Sequence, residues 1–385
     1  MKATSDRFDE RALLTEAENA TGLHDWGNDD TFRIGLGVFL DALADVELPP
    51  QLDEMVHGHV LMLLTQRLGM VDDATRHPEI LDIPVERPLI VLGMPRTGTT
   101  ILYDLLAQSP DTRSPLAWEA SNAWPAPGAQ ARWESDPRIA DVQAQVDGLL
   151  SAAPEIGAML PVGATLPAEC NRLMMYHFAG PEFGAHYAVP AHTRWVATER
   201  VPGLYRTHRR VLQQLAWKGP RGRWVLKSPI HLYDLEGLLA EYPDASLVWT
   251  HRDPVQVFTS LSALIVALRK AMGFTPDRRA VATEVLDAYG ALLVRGMASR
   301  EDPAIDSRIL DVPFRDTVSD PVGTVRTVHE HFGFDLTDEH TGLIGQFLRD
   351  HPRGNNPQRS EGCGYDPAVF RQRFAAYYDR FGDLI

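Results

Sequence analysis

The sequence predicts an α/β fold: a P-loop-like parallel sheet flanked by helices, with a helical N-terminal region and a cap of helices and loops. Three observations predict it. Short continuous apolar runs, Pro88–Leu92 (PLIVL), Trp224–Leu226 and Ala245–Thr250 (ASLVWT), have the length and composition of strands buried on both faces. Helical patterns separate these runs, so the strands should be parallel, with ligands at their carboxyl ends. The first run closes on Gly93 and passes through a loop into a helix from about Thr99, the layout of a phosphate-binding βα unit.

Residues 1–85 read as helical. Leu13-Leu14, Phe32, Leu36, Phe39-Leu40 and Leu43 recur at helical spacing, as do Met55, Val60, Leu63-Leu64 and Leu68, and His77-Pro78-Glu79 ends the region. Residues 86–385 form the main α/β unit. Its stretch from about 110 to 220 is rich in Trp and Pro, including Trp118, Trp124, Trp133 and Trp195, and is expected to be a cap over the site. After Gly222 the alternation returns: a strand at Trp224–Leu226, a helix from His231 to Glu241, the strand ASLVWT, a helix from Asp253-Pro254 to about Ala271, and a further strand at Ile309–Val312. Asp-Pro also occurs at Asp320-Pro321 and Asp366-Pro367. Asp as N-cap accepts an orphan N–H and Pro at N1 lacks the one it would leave orphaned, so each pair predicts a helix start.

Composition removes several classes of function. The chain of 385 residues carries a net charge of −15, so a general nucleic-acid surface is excluded and any anion site must be local. The two cysteines, Cys170 and Cys363, make neither a disulfide framework nor a compact metal motif and are expected to be reduced thiols. No metal site is expected. The acidic N-terminus lacks an apolar signal segment and no apolar run is long enough to span a membrane, so the expected location is cytoplasmic. The oligomeric state is left open.

The loop Gly93-Met94-Pro95-Arg96-Thr97-Gly98-Thr99-Thr100 has the GxxxxG frame of a P-loop, which presents backbone N–H groups to an anion at a helix N-terminus. A nucleotide triphosphatase loop continues with Lys. Here Thr99 holds that position and the cation sits earlier, at Arg96. In this respect the loop resembles the 5′-phosphosulfate loop of the sulfotransferases that use 3′-phosphoadenosine-5′-phosphosulfate (PAPS). The resemblance implies that Arg96, Thr97, Gly98, Thr99 and Thr100 hold the 5′-phosphosulfate. That family binds the 3′-phosphate through an Arg at a strand end and a Ser eight residues on; Arg252 and Ser260 match in type and spacing. It also places a basic loop near the C-terminus over the same phosphate, which implies Arg353, although the segment lacks the usual GxxGxxK form. Ile101 stands where the cytosolic animal enzymes stack adenine on Trp, so the adenine partner is unassigned. The resemblance covers roughly residues 87–270, and the tail Tyr365–Phe381 is similar to bacterial members.

Sulfuryl transfer needs a base for the acceptor hydroxyl, cations for the leaving phosphate oxygen and in-line positioning. Lys227 and His231, in LKSPIHL, resemble the family's Lys-x-His stretch, though three residues separate them rather than one. The resemblance implies Lys227 and Arg96 at the transferring group and His231 as base, with Glu119 and Glu169 as rivals for that role. The expectation is therefore transfer from PAPS, without a metal, to a hydroxyl of a small, partly apolar acceptor: a phenol, sterol, lipid or glycolipid. The alternatives are a P-loop kinase or NTPase and a nucleotide-binding protein without activity.

Overall fold

In a computed structural model the described residues are 8–128, 135–351 and 365–385. Among the described residues five strands form one wholly parallel sheet: β1 Leu89–Gly93, β2 Thr112–Arg113, β3 Arg223–Lys227, β4 Ser246–His251 and β5 Ile309–Pro313, in the order β2-β3-β1-β4-β5. β1 is buried along its whole length, as its unbroken apolar run requires, and lies between β3 and β4. Its register sets Val91 beside Lys227 and Gly93 beside Thr250, so the ends of three strands converge on one edge. That edge is where an open parallel sheet binds ligands.

The helix starts marked by Asp-Pro are present. The side chains of Asp253, Asp320 and Asp366 accept from the backbone N–H groups of Val255, Gly323 and Ala368. The predicted helix from His231 to Glu241 is divided instead. A 3-10 turn, Pro229–Tyr233, precedes the helix Leu235–Glu241, because Asp234 leaves helical geometry at φ −150° and caps the second segment through Gly237 N–H. β2 is a two-residue strand inside the stretch expected to be cap, and nothing in its composition announces it.

Three helices, Glu10–Thr21, Phe32–Ala44 and Pro50–Arg76, make up the N-terminal region. They pack on the cap as well as on each other. Phe39 and Phe183 lie 4.3 Å apart between ring centroids, and a Cβ at Gly35 would meet the carbonyl oxygen of His177 at 2.4 Å. The cap is a run of helices between β2 and β3, and an antiparallel bridge between Leu116 and Pro167 ties its start to its middle. Among the described residues no helix is long and apolar enough to cross a membrane.

Candidate active site

The phosphate loop is shaped by two glycines. Gly93 has φ 132° and a Cβ there would meet Thr250 O at 2.7 Å; Gly98 has φ 91° and a Cβ would meet the Phe314 ring at 2.8 Å. Only glycine fits both demands. Arg96 also has positive φ, 72°, in the left-handed region that arginine seldom occupies. Strain of this kind at a loop mouth is held by the surrounding fold and marks a functional position. Thr97 fastens the loop: its hydroxyl donates to Met94 O at 2.6 Å and lies 2.6 Å from the Thr250 hydroxyl. Its side chain is thus turned into the protein, and of Thr97 only the backbone amide remains for an anion.

Above this loop lies a cavity of about 950 Å3. Arg96, Gly98, Thr99, Thr100, Arg252 and Phe314 line one end. The Arg96 guanidinium donates to Ser260 Oγ at 3.0 Å and to Met159 O at 2.8 Å. Arg252 donates to the carbonyl oxygen of Arg96 at 3.0 Å, grips Gln256 and lies 4.3 Å from the Phe314 ring centroid. Arg96, Arg252 and Ser260, predicted from two separate segments, are therefore brought together. Burial, and then the neighbouring Arg252, push the Arg96 guanidinium below its ordinary range, with Glu169 opposing them; burial does the same to Arg252. Two guanidinium groups crowded at the mouth of a glycine loop make a local anion site in an acidic chain. Arg353 lies outside the described residues.

Lys227 ends β3. Its ammonium is 3.3 Å from Thr100 Oγ1 and hydrogen-bonds Glu169 Oε1. Glu169 lines the middle of the cavity and its side chain is 31% exposed, against 1% for Lys227. Its second oxygen accepts from the Asn171 amide at 3.0 Å, and Asn171 in turn accepts from Ser228. The backbone before it is pinned twice: Ala168 N–H donates to Pro115 O at 2.7 Å, and Tyr103 OH donates to Ala168 O at 2.8 Å. The carboxylate is thus held in a fixed pose between the phosphate loop and the rest of the cavity.

The other two candidate bases lie elsewhere. Glu119 is fully buried, paired with Arg113 at 2.7 Å and accepting from Leu116 N–H at 3.0 Å, so it caps a short helix and closes an ion pair. His231 is wholly buried, does not line the cavity, and stacks on Tyr205, whose hydroxyl is 3.2 Å from its Nδ1. Burial, then the nearby His208, push its pKa well below the ordinary value. An imidazole so placed is poorly suited to take a proton from an acceptor in the cavity. The extra residues between Lys227 and His231 explain the difference, because Pro229–Tyr233 turns away from the sheet edge as a 3-10 segment. Sequence reasoning also left out Asn171, Tyr289, Phe314 and Phe347, all of which line the cavity. Only Asn171, two residues beyond Glu169, had a signal that could have found it.

The rest of the lining is largely apolar, with Leu149, Ile156, Leu261, Leu264, Ile265 and Leu268, though Arg172, Glu182 and His186 also face it. A parallel sheet, a glycine loop whose cation is Arg96 with Thr99 in the P-loop lysine position, and a buried lysine at the end of β3 make up the candidate site. The model of the sulfotransferase family matches residues 88–338, and the chain belongs to that family. It is 24% identical over 274 residues to the omega-hydroxy-beta-dihydromenaquinone-9 sulfotransferase Stf3 of Mycobacterium bovis, a match covering 69% of this chain and 67% of the relative. Among solved structures, sulfotransferase STF9 from Mycobacterium avium superposes with TM-score 0.86 at 29% identity, covering 98% of this chain and 97% of the other. STF1 from Mycobacterium tuberculosis H37Rv gives TM-score 0.80 at 29% identity, covering 96% and 98%. The chain is thus a sulfotransferase in fold and family.

Proposed function

We propose that this enzyme moves the sulfuryl group of PAPS to the hydroxyl of an apolar, lipid-like acceptor, with Glu169 as the general base. The observation that carries the reading is the pairing of Glu169 with Lys227 at the junction of two unlike halves of one cavity. On one side stand the loop amides, Thr99, Thr100, Arg96 and Arg252, with Ser260 hydrogen-bonded to Arg96, suited to a nucleotide with phosphates at both the 5′ and 3′ positions. On the other stand aliphatic side chains with space for a hydrocarbon body.

In this reading the acceptor hydroxyl rests against Glu169. As its oxygen closes on sulfur, its proton passes to Glu169 and the bond from sulfur to the 5′-phosphate oxygen breaks. Lys227 and Arg96 neutralise the charge developing on that oxygen. Glu169 then releases its proton to solvent. Lys227 contacts both Glu169 and Thr100 of the loop, so a donor anion on the loop would compete with the carboxylate for its ammonium. The relative Stf3 acts, by its name, on a hydroxylated menaquinone derivative. The aliphatic end of the cavity supports an acceptor of the same chemical kind here: a terminal hydroxyl on a hydrocarbon chain.

The test is transfer of label from radioactive PAPS to a panel of hydroxylated acceptors. Activity should favour long apolar alcohols over small polar ones and should disappear in Glu169→Gln. Sulfation of polar sugars in preference to apolar alcohols, or full activity in Glu169→Gln, would contradict the reading.

A further inference from the structure

Directly behind the Glu169–Lys227 pair three ligating atoms meet in the core. Cys170 opens the helix Cys170–Met175, His208 sits in the helix Leu204–Lys218, and His231 sits in the 3-10 turn after β3. The thiol sulfur and one ring nitrogen from each histidine lie within 4.8 Å of one another. All three residues are fully buried and none lines the cavity.

The hydrogen bonding of the two rings is matched. His208 Nδ1 is 2.7 Å from the Tyr242 hydroxyl and His231 Nδ1 is 3.2 Å from the Tyr205 hydroxyl. The Nε2 of each ring is buried and has no hydrogen-bond partner among the described residues. A buried polar nitrogen without a partner costs stability, and native proteins rarely leave one unexplained. Here two stand together beside a thiol. A metal-bound histidine shows the same arrangement: one nitrogen oriented by an outer hydrogen bond, the other directed at the ion.

We propose that Cys170, His208 and His231 form a structural site for one thiophilic d10 metal ion, zinc(II) or copper(I). Imidazole and thiolate are the donors such ions prefer. Burial keeps the rings in the neutral, ligating form, pushing His208 down to about 3. Burial likewise pushes the Cys170 thiol up to about 12 in the absence of a bound cation, despite a hydrogen bond from the Lys227 backbone. Binding exchanges one S–H bond for one sulfur–metal bond and releases that proton to solvent, with no change of oxidation state. Two neutral imidazoles and one thiolate leave a net charge of +1 around zinc(II) and none around copper(I). A wholly buried three-ligand site favours the neutral complex. Metal–ligand bonds of about 2.0 Å to nitrogen and 2.3 Å to sulfur require the cluster, whose edges are all within 4.8 Å, to close by no more than about 1 Å.

The site's place in the chain gives it a purpose. Cys170 follows Glu169 directly, and His231 lies in the turn that leaves Lys227. An ion between them clamps the two segments that carry the pair. It revises the expectation of a chain with only reduced thiols and no metal. The ligands come from three distant segments, so no compact motif marks them.

The test uses the full chain with Cys363→Ser, so that Cys170 is the sole cysteine. Protein produced in zinc- or copper-supplemented medium is gel-filtered and its metal measured by mass spectrometry. A second portion is unfolded and refolded with cobalt(II). The expected result is close to one zinc or copper ion retained per chain, the richer arm identifying the ion, with a cobalt–thiolate charge-transfer band. Adding Cys170→Ser should lower retention roughly 10-fold or more and abolish the band. A folded protein that retains neither zinc nor copper and shows no thiolate band would overturn the proposal. That readout needs no variant at Cys170 and so decides the matter even where Cys170→Ser fails to fold.

Discussion

The two ends of the cavity are built on different principles. The donor end is made by backbone: a glycine loop, three converging strand ends and a helix that begins at Asp253, with Arg96, Arg252 and Ser260 linked to one another across it. The far end is made mostly by aliphatic side chains from the cap and from the helices Pro254–Ala271 and Arg278–Ser299, with Arg172, Glu182 and His186 among them. Backbone amides and arginine forks prescribe one ligand shape closely, whereas an aliphatic lining prescribes little beyond bulk. Under the proposed function, donor recognition is the rigid half of this enzyme and acceptor recognition the adaptable half, with Glu169 and Lys227 at the seam.

Breaking the seam should have the largest effect. Glu169→Gln keeps an acceptor for only one of the two donors that meet the carboxylate, Lys227 or Asn171, and removes the base. Turnover should fall by roughly 10²–10⁴ while affinity for the desulfated nucleotide, PAP, changes little, as steady-state rates and calorimetry would show. A matched loss of nucleotide affinity would make Glu169 a structural residue of the donor end.

Next in size is Arg252→Ala. Losing a charge-assisted contact to the 3′-phosphate should weaken PAP by about 10- to 100-fold, an effect of about 1.5–3 kcal/mol, and leave adenosine 5′-phosphosulfate nearly unaffected. Equal losses for the two nucleotides would dissolve the distinction between 5′ and 3′ subsites.

A smaller change belongs to the apolar end. Leu264→Ala should raise the acceptor KM by roughly 5- to 50-fold, with PAP affinity within about twofold of the native value. An effect on PAP as large as that on the acceptor would mean that the two ends are not separable.

The mildest probe is acid. The N-terminal helices and the cap are held in part by neutral histidines: half-buried His59 against Tyr187, and buried His177 against Thr207 and His192 against Phe178 O. Burial pushes His59 down to about 3 and His177 and His192 down to about 4. The unfolded chain takes up protons below about pH 6.5 and the folded chain does not. Stability is therefore full above about 6.5 and lost as pH falls toward 4. The melting temperature should drop by at least ~5 °C between pH 7 and pH 5. A flat profile would remove these histidines from the account.

Much of the donor end was legible in the sequence because glycine, Asp-Pro and arginine act locally. Gly93 and Gly98 mark a loop that only glycine can make, Asp253-Pro254 starts a helix at a fixed point, and the spacing of Arg252 and Ser260 then follows from helix geometry. The seam was half legible. Lys227 follows a recognisable strand, but the base depended on which candidate the cap carries to the sheet edge. Ala168 is pinned by Pro115 and Tyr103, contacts between segments far apart in sequence, and these put Glu169 in place while Glu119 turns to Arg113. His231 misled because a two-residue difference in spacing moves a side chain from a strand end to the inside of a turn. The apolar end was illegible, since a leucine lining a cavity and a leucine in a core have the same local signature.

Calorimetric titration of the protein with PAP, with ATP plus Mg2+ as the comparison, tests the central claim most directly. Tight binding of one PAP without added Mg2+, with ATP weak, is the predicted result. Absence of PAP binding, with ATP bound only in the presence of Mg2+, would contradict the assignment of this cavity to PAPS and return the loop to nucleotide triphosphate chemistry.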